Sequence, residues 1–304
     1  MGCAAGVGLP APAFHNIYLS VSQTESSMSV SDPQEASAVW DRRGDRHFAA
    51  RRYADAIAAY DRALAKNPRC LPALNKKGNA LSELGRHDEA LEAYDAVLAA
   101  GPADPLLADC ALKNKIRTLV LLHRDDDAIR ACRAALEDDP ENAMVLALLG
   151  NLFAANGRSR EALEAYDRAV AAAPGWAALR VNRGSLLLGL GRFAEAAEEF
   201  GAAVSHDPTL VSFACNMATV LADQGEVTAA LSLYDHILRV VPDHVMTLNN
   251  KGCTLRDMKR YREGLAAFDA ALVIDPENIL VISNRSVLLL RNSEEESGDP
   301  VIPR

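Results

Sequence analysis

The chain has 304 residues, of which 49% are hydrophobic and only 5% aromatic, and its formal net charge is -9. This acidic balance disfavours nucleic acid as a ligand, because a phosphate backbone attracts a basic surface. No run approaches the roughly 18 to 20 apolar residues that a membrane span requires, so we expect none.

The N-terminal segment, residues 1–36, is rich in Gly, Ala, Ser and Pro, which predicts a disordered leader. No Lys or Arg precedes Arg42, so the segment lacks the basic region of a secretory signal, and we predict a cytoplasmic protein. Met28 is a candidate for the true start. The opening Met1-Gly2-Cys3 is a poor acylation motif, because Gly6 stands where Ser or Thr is preferred.

The six cysteines contain no CxxC pair and are spread along the chain, which predicts neither a metal site nor a disulfide framework. The chain also lacks the motifs GxxxxGK[ST], HExxH and GxSxG. We therefore expect no enzymatic activity and no cofactor.

Prolines recur along most of the chain with a step of 34 residues, interrupted by one interval of 38. They are Pro68, Pro102, Pro140, Pro174, Pro208, Pro242 and Pro276. Such a period indicates stacked helical repeats. We place the four additional residues, 105–108, in a loop between the second and third repeats, where insertions are tolerated.

Each repeat is predicted to contain a helix A, a Gly-Arg turn and a helix B. The predicted repeats are 37–70, 71–104, 109–142, 143–176, 177–210, 211–244 and 245–278, followed by a half repeat, 279–291, and a disordered acidic tail, 292–304. The twenty-fourth position is a ring in six repeats, namely Tyr60, Tyr94, Tyr166, Phe200, Tyr234 and Phe268. In the third repeat it is Cys132. Small residues at positions 8 and 20 let the two helices approach beside that ring.

Small residues at positions 8 and 20, a ring at position 24 and proline at position 32 together resemble the tetratricopeptide repeat family. The resemblance covers residues 37–278 and the half repeat; the third repeat departs from it at Ile116 and Cys132, and the sixth at Ala218. It implies an all-α fold, an α-solenoid that forms a right-handed superhelix of antiparallel helix pairs. A helical-repeat family that binds RNA has a similar hairpin, but the ring, the proline and the acidic charge disfavour it.

The resemblance also implies a concave groove lined by positions 2, 5, 6, 9, 12 and 13 of helices A, which binds other proteins or peptides. We therefore expect a protein–protein interaction scaffold or adaptor. The sixth position carries Arg42, Lys76, Asn114, Leu148, Asn182, Asn216, Asn250 and Asn284. The four final asparagines favour a ladder that hydrogen-bonds the backbone of an extended peptide. Alternatively, they hydrogen-bond between adjacent helices A.

The second and third repeats carry a polar, locally basic cluster. Its members are Asn75, Lys76, Asn79, Lys113, Asn114 and Arg117. The cluster suits an acidic or C-terminal segment of a ligand, although a solvated face explains it equally well. The family's carboxylate clamp for chaperones is disfavoured. Asn114 fits its middle role, but Asn75 replaces its first lysine, and Met144 and Leu148 replace its last lysine and arginine.

The fourth repeat has an apolar inner face. Met144, Ala147, Leu148 and Ala154 form it, with Asn151 as the polar exception. Local packing explains this pattern, and so does a pocket for one hydrophobic anchor of the ligand.

The half repeat lacks a helix B, so its helix A is expected to expose apolar side chains. These are Ile279, Val281, Ile282, Val287, Leu288, Leu289 and Leu290. An exposed apolar helix face favours association. The alternative function is therefore a self-associating scaffold, a homo-oligomer formed through the C-terminal half repeat.

Overall fold

Helices account for nearly all of the regular structure in residues 32–101 and 103–297, which a computed structural model of the chain describes. The α-helices are α1 (Pro33–Ala49), α2 (Tyr53–Lys66), α3 (Leu71–Glu83), α4 (His87–Ala99), α5 (Pro105–Leu121), α6 (Asp125–Asp138), α7 (Ala143–Ala155), α8 (Ser159–Ala172), α9 (Ala177–Gly189), α10 (Phe193–His206), α11 (Val211–Asp223), α12 (Val227–Val240), α13 (Val245–Asp257), α14 (Tyr261–Ile274) and α15 (Ile279–Ser297). No strand occurs within these ranges, and the predicted all-α solenoid is confirmed.

Some sequence-based predictions fall on residues outside the described ranges. They concern the leader up to residue 31 with Met28 and the acylation motif, the proline at position 102, and the tail from residue 298. These stay predictions, as does the cytoplasmic location that rests partly on the leader.

The chain divides into two units, residues 1–73 and 74–304. In the first unit, α1 packs against α2. The Ser37 hydroxyl, which is buried in α1, donates a hydrogen bond to the backbone oxygen of Ala63 at 2.9 Å. Tyr60 of α2 lies against Gly44 of α1, and its hydroxyl donates to Asp45 at 2.9 Å.

In the second unit each helix packs against its neighbours along the chain, and rings fill the gaps beside glycines. A Cβ atom built on Gly150 would lie 2.7 Å from Cε1 of Tyr166, and one on Gly184 would lie 2.8 Å from Cε1 of Phe200. These distances are shorter than any normal carbon contact, so only glycine fits there. The predicted close approach of helix A and helix B is therefore observed.

The third repeat is packed equally closely, but its large side chain lies on helix A and its small one on helix B. Ile116 stands at the glycine position and is 4% exposed, and Cys132 stands at the ring position and is 0% exposed. Both belong to one apolar cluster with Leu112 and Leu119. The bulk that other repeats place on helix B here comes from helix A.

The turn between the two helices of a repeat always contains one residue with left-handed backbone geometry. It is glycine in four repeats, with φ between 71° and 85° at Gly85, Gly157, Gly191 and Gly225. In the other three it is Arg51, His123 or Lys259, with φ between 55° and 61°. The next residue closes the turn: the N–H of Arg158, for example, donates to the Phe153 oxygen at 2.8 Å, as in a Schellman motif.

Three predicted boundaries are corrected by the structure. Residues 105–108 do not form a loop but the first turn of α5, which has 17 residues against 13 in α7. The Asp104 side chain accepts a hydrogen bond from the Leu106 N–H, and proline at the first position favours a helix start. Residues 33–36 of the predicted leader already belong to α1, and residues 292–297 of the predicted tail belong to α15.

Candidate functional site

The predicted groove positions lie on the first helices of the repeats, which are α5, α7, α9, α11, α13, α15 and most of α3 in the second unit; we call these the A helices. We use "groove face" for positions 2, 5, 6, 9, 12 and 13 of the A helices, which helical periodicity places on one side. The hydrogen bonds of that face show how its polar side chains are held.

In the second and fourth repeats the ninth residue accepts a hydrogen bond from the buried tyrosine of the same repeat. The Tyr94 hydroxyl donates to Asn79 Oδ1 at 2.9 Å, and the Tyr166 hydroxyl donates to Asn151 Oδ1 at 2.5 Å. Burial raises the pKa of Tyr166 to about 12, because the phenolate would lose its hydration. Asn79 and Asn151, both predicted groove residues, thus also serve the core.

The asparagine at the sixth position donates to the ninth residue of the preceding repeat. Asn182 Nδ2 donates to Asn151 Oδ1 at 3.2 Å, and Asn250 Nδ2 donates to Thr219 Oγ1 at 3.2 Å. The Thr219 hydroxyl also lies 3.0 Å from the Tyr234 hydroxyl. A chain of hydrogen bonds therefore runs from the buried ring of one repeat to the sixth-position asparagine of the next.

At the C-terminal end the fifth position takes over as the partner. Asn284 Nδ2 donates to Asn249 Oδ1 at 2.9 Å, and Asn249 Nδ2 donates to Asn250 Oδ1 at 3.2 Å. Because Asn249 is only 4% exposed, these bonds also satisfy a buried carboxamide. Three carboxamides on α13 and α15 are thus linked in sequence.

Asn216 is the exception among the four. It is exposed, and its carboxamide makes no hydrogen bond to any residue that the structure describes. The ring of the preceding repeat is Phe200, which has no hydroxyl, and the ninth residue Ser185 donates instead to the Val181 backbone oxygen at 2.8 Å. The half-buried Asn114 likewise has a carboxamide without a partner in the described ranges.

The predicted basic cluster separates into surface and interior members. Lys113 and Arg117 lie one turn apart on α5, and both are exposed. Lys76 is half-buried on α3. Asn75 is only 7% exposed, and its Oδ1 has no hydrogen-bond partner among the described residues. Lys113 and Arg117 are therefore the exposed cations of this part of the groove face, whose other exposed charge is Glu83 at the thirteenth position of α3.

The apolar groove residues of the fourth repeat join the core. Ala147 is buried, and Met144, Leu148 and Ala154 are half-buried. The latter three pack against the apolar cluster that contains Ile116 and Cys132 in the preceding repeat. This placement agrees with the local-packing interpretation, while the half-buried side chains keep some surface for a ligand.

Sequence reasoning missed a pair of carboxylates at the thirteenth position. Asp223 and Asp257 line a cleft of about 230 Å³ between α11 and α13, together with Thr219, Asn250 and Met258. The thirteenth position had been assigned to the groove, so a comparison of its residues from repeat to repeat would have found this pair.

The described residues also bear on two other kinds of site. None of their helices is long and apolar enough to cross a membrane. No group of three or more His, Cys, Asp or Glu side chains among them is arranged to hold a metal ion.

A tetratricopeptide repeat family model matches residues 42–105, 122–177 and 215–279 of the chain. These segments together make up more than half of its length. No curated protein matches the chain significantly.

Solved structures of other helical-repeat proteins are similar to the chain. One is the C-terminal part of a TPR repeat-containing protein from Cytophaga hutchinsonii, with 18% identity and a TM-score of 0.53, over 80% of this chain and 98% of that one. Another is a tetratricopeptide repeat protein from Parabacteroides merdae, with 14% identity and a TM-score of 0.50, over 84% and 99%. At these identities the similarity shows the fold alone.

Proposed function

Because the chain belongs to the tetratricopeptide repeat family, we propose that it is a protein–protein interaction scaffold or adaptor that binds an extended peptide along the groove face. The fold supports an interaction scaffold in general. The peptide, its contacts with the asparagines and the absence of catalysis belong to the proposal.

The observation that carries the proposal is the orientation of the sixth-position carboxamides by bonds between adjacent A helices. Asn182 Nδ2 donates to Asn151 of the preceding A helix, whereas Asn250 Nδ2 donates both to Thr219 Oγ1 and to Cys215 Sγ, at 3.5 Å, of α11. A carboxamide has two N–H groups and a carbonyl oxygen with two lone pairs. Asn182 therefore keeps one N–H and its oxygen for a ligand, and Asn250 keeps one lone pair of its oxygen, which accepts once from Asn249. The two interpretations of these asparagines are therefore compatible: the interhelical bond fixes the side chain, and the remaining groups bind the peptide backbone.

The spacing of the repeats suits an extended ligand. Neighbouring helices pack roughly 8 to 10 Å apart, and an extended chain advances about 3.3 Å per residue. One asparagine would thus meet roughly every third residue of the peptide. Such contacts are independent of the peptide's side chains, so sequence preference has to come from elsewhere in the groove.

We assign that preference to the α5 cations and the apolar fourth repeat. Lys113 and Arg117 are exposed without a carboxylate partner among the described residues, which suits an acidic side chain or a C-terminal carboxylate. Leu148, one A helix further on, suits a neighbouring hydrophobic anchor. The proposed ligand therefore carries its acidic part near α5 and its anchor near α7.

The test compares single asparagine variants, because the structure assigns them different internal roles. Asn216→Ala removes no internal hydrogen bond, whereas Asn250→Ala removes the bond to Thr219. We expect Asn216→Ala to melt as the wild type does, but to recover specific partners less efficiently in affinity capture from native extract. Thr228→Ala/Ser232→Ala, which changes two exposed hydroxyls on α12, is the control and should retain them.

The fourfold variant Asn182→Ala, Asn216→Ala, Asn250→Ala and Asn284→Ala should lose these partners, provided that circular dichroism shows it folded. Equal recovery by the wild type, the Asn216→Ala variant and the fourfold variant would show that the asparagines are structural only. Fractionation of native cells would test the cytoplasmic location separately.

A second candidate function, self-association, is favoured by the exposure of part of α15. Val281 and Leu288, which were expected to be exposed, are instead buried in one apolar cluster with Phe268. Leu289 is 41% exposed and Ile282 43% exposed, whereas Leu221 and Leu255, which occupy the same position as Leu289 in the two preceding repeats, are at most 1% exposed. An apolar helix face of this kind suits a second copy of the chain. Light scattering over a hundredfold concentration range tests it, and a constant monomer mass would exclude it.

A further inference from the structure

The cleft beside Asn250 has a fixed polar wall. Thr219 Oγ1 lies 3.0 Å from the Tyr234 hydroxyl and 3.2 Å from Asn250 Nδ2, so three polar groups hold one another in place. The volume of about 230 Å³ is several times the roughly 30 Å³ that a water molecule occupies, which leaves room for one long side chain.

The charges of the cleft are negative. Asp223, at the end of α11, is exposed and forms no ion pair with a described residue. Asp257, at the end of α13, lies 2.9 Å from Arg256 Nε and 3.7 Å from Arg291 Nη1, so part of its charge is compensated from outside the cleft. None of the residues that line the cleft is basic.

Another part of the lining is apolar. Ala222, Val227 and Met258 contribute it, and Met258 is 44% exposed. A lysine or arginine side chain has the matching two parts, because its aliphatic stem packs on apolar groups while its charged end meets carboxylates and hydroxyls. A hydrophobic side chain would leave Asp223 without compensation, and an acidic one would be repelled.

We propose that this cleft binds a lysine or arginine side chain of the peptide that occupies the groove face. The inference rests on the proposed function, and it adds a specificity site next to Asn250. Asn250 Oδ1 keeps one lone pair, because it accepts only from Asn249. A peptide whose backbone N–H donates to that oxygen has a neighbouring side chain next to Asp223, which lines the same cleft. The ligand then combines an acidic part near α5 with a basic residue near α13.

The test is selection of peptides from a random 12-residue display library on the full chain. Wild-type protein should enrich peptides with Lys or Arg at one fixed position relative to their other shared residues. Asp223→Asn/Asp257→Asn should still enrich the other shared residues but lose the basic one. Asp235→Asn/Asp269→Asn is the matched control, because it removes the same charge from two carboxylates on α12 and α14 that do not line the cleft.

The outcomes separate the two proposals. Enrichment without a fixed basic residue, or with one that persists in the cleft variant, overturns the cleft assignment and leaves the groove proposal standing. No enrichment on any variant overturns both. For a synthetic peptide from the wild-type selection, we expect Asp223→Asn to raise Kd about tenfold, as for the loss of a charge-assisted hydrogen bond, and the control to leave Kd unchanged.

Discussion

Ile116 and Cys132 show at the residue scale that the repeats preserve volume more strictly than identity. In five of the other six repeats a glycine on helix A faces a ring on helix B, and in the sixth repeat Ala218 does so. In the third repeat a branched side chain faces a small one, with both buried. Because interiors are packed like crystals, neither residue can be changed to the usual one alone.

We predict that the two substitutions compensate each other. Cys132→Phe alone should lower the free energy of unfolding by roughly 1 to 3 kcal/mol through overpacking. Ile116→Gly alone should cost roughly 3 to 5 kcal/mol through a cavity and a helical glycine. The double variant should be at least about 2 kcal/mol more stable than the sum of both costs implies. Urea denaturation of wild type, the two single variants and the double variant measures the four free energies of unfolding. If the two costs simply add in the double variant, the packing interpretation is contradicted.

The left-handed turn residues give a second prediction at this scale. Arg51, His123 and Lys259 adopt φ near +60°, which costs a side-chain-bearing residue roughly 1 kcal/mol relative to glycine. His123→Gly and Lys259→Gly should therefore each raise the midpoint of thermal unfolding. Gly157→Ala should lower the midpoint of thermal unfolding. Because the two kinds of substitution are expected to shift the midpoint in opposite directions, each serves as a control for the other.

Buried tyrosines give a prediction about pH. The pKa of Tyr166 is raised from 10.0 to about 12, so above pH 10 the unfolded state loses the phenol proton first. The associated stability is present below pH 10 and lost as pH rises towards 12. The stability advantage of wild type over Tyr166→Phe should thus shrink by about 1.4 kcal/mol between pH 9 and pH 11 in urea titrations. An unchanged difference would show that the phenol is not shielded.

At the scale of the helix, the fifth repeat joins α9 and α10 through ions where other repeats use apolar side chains. Glu199 is 8% exposed and lies 2.7 Å from Arg183 and 3.5 Å from Arg180. Arg180 occupies the position that Leu146 and Leu248 fill elsewhere. Partly buried ion pairs contribute little net stability but are costly to break.

We expect Glu199→Ala to cost roughly 3 kcal/mol, because it leaves Arg180 without a carboxylate, whereas Arg183 keeps Asp167 at 2.8 Å. Arg180→Leu/Glu199→Ala, which restores the pattern of the neighbouring repeats, should regain most of that loss. Chemical denaturation measures the free energy of unfolding of the single and the double variant. A double variant that is no more stable than Glu199→Ala would contradict the explanation by an uncompensated cation.

The helices also show how far the sequence determines the fold. The 34-residue period and the positions of the rings and glycines predict the helix pairs, because the same positions pack helix A against helix B from repeat to repeat. The first turn of α5 was misplaced although Asp104-Pro105 is a recognisable helix start, since insertions were assigned to loops by default. The partners of Asn182 and Asn250 were not predictable, because a carboxamide bonds equally well to a neighbouring helix or to a ligand.

At the scale of the whole molecule, the net charge of -9 opposes the acidic ligand that Lys113 and Arg117 favour. The local attraction acts over a few ångströms, whereas the repulsion is spread over distances beyond the Debye length of about 10 Å at 0.1 M salt. Contact attraction should therefore dominate at physiological ionic strength.

We predict that peptides selected for an acidic part lose affinity severalfold between 50 and 500 mM NaCl. Lys113→Gln/Arg117→Gln should bind them weakly and with little dependence on salt. Lys251→Gln/Arg285→Gln, which removes two cations that contact aspartates on α12 and α14, is the matched control and should behave as wild type. Titration calorimetry measures the affinity and its dependence on salt. A wild-type affinity that does not change with salt would contradict the assignment of the acidic part to Lys113 and Arg117.

The hydrogen bonds that run from a buried ring to the next repeat fix the spacing between the asparagines of successive A helices. Asn250 holds its position only while α13 stays close to α11, because Thr219 is its support. A force along the axis of the repeats would separate these helices. The asparagine side chains would then no longer match the spacing of the backbone groups of a bound peptide. Mechanical stretching and peptide binding would then oppose each other, and a tightly bound peptide would stiffen the protein against extension.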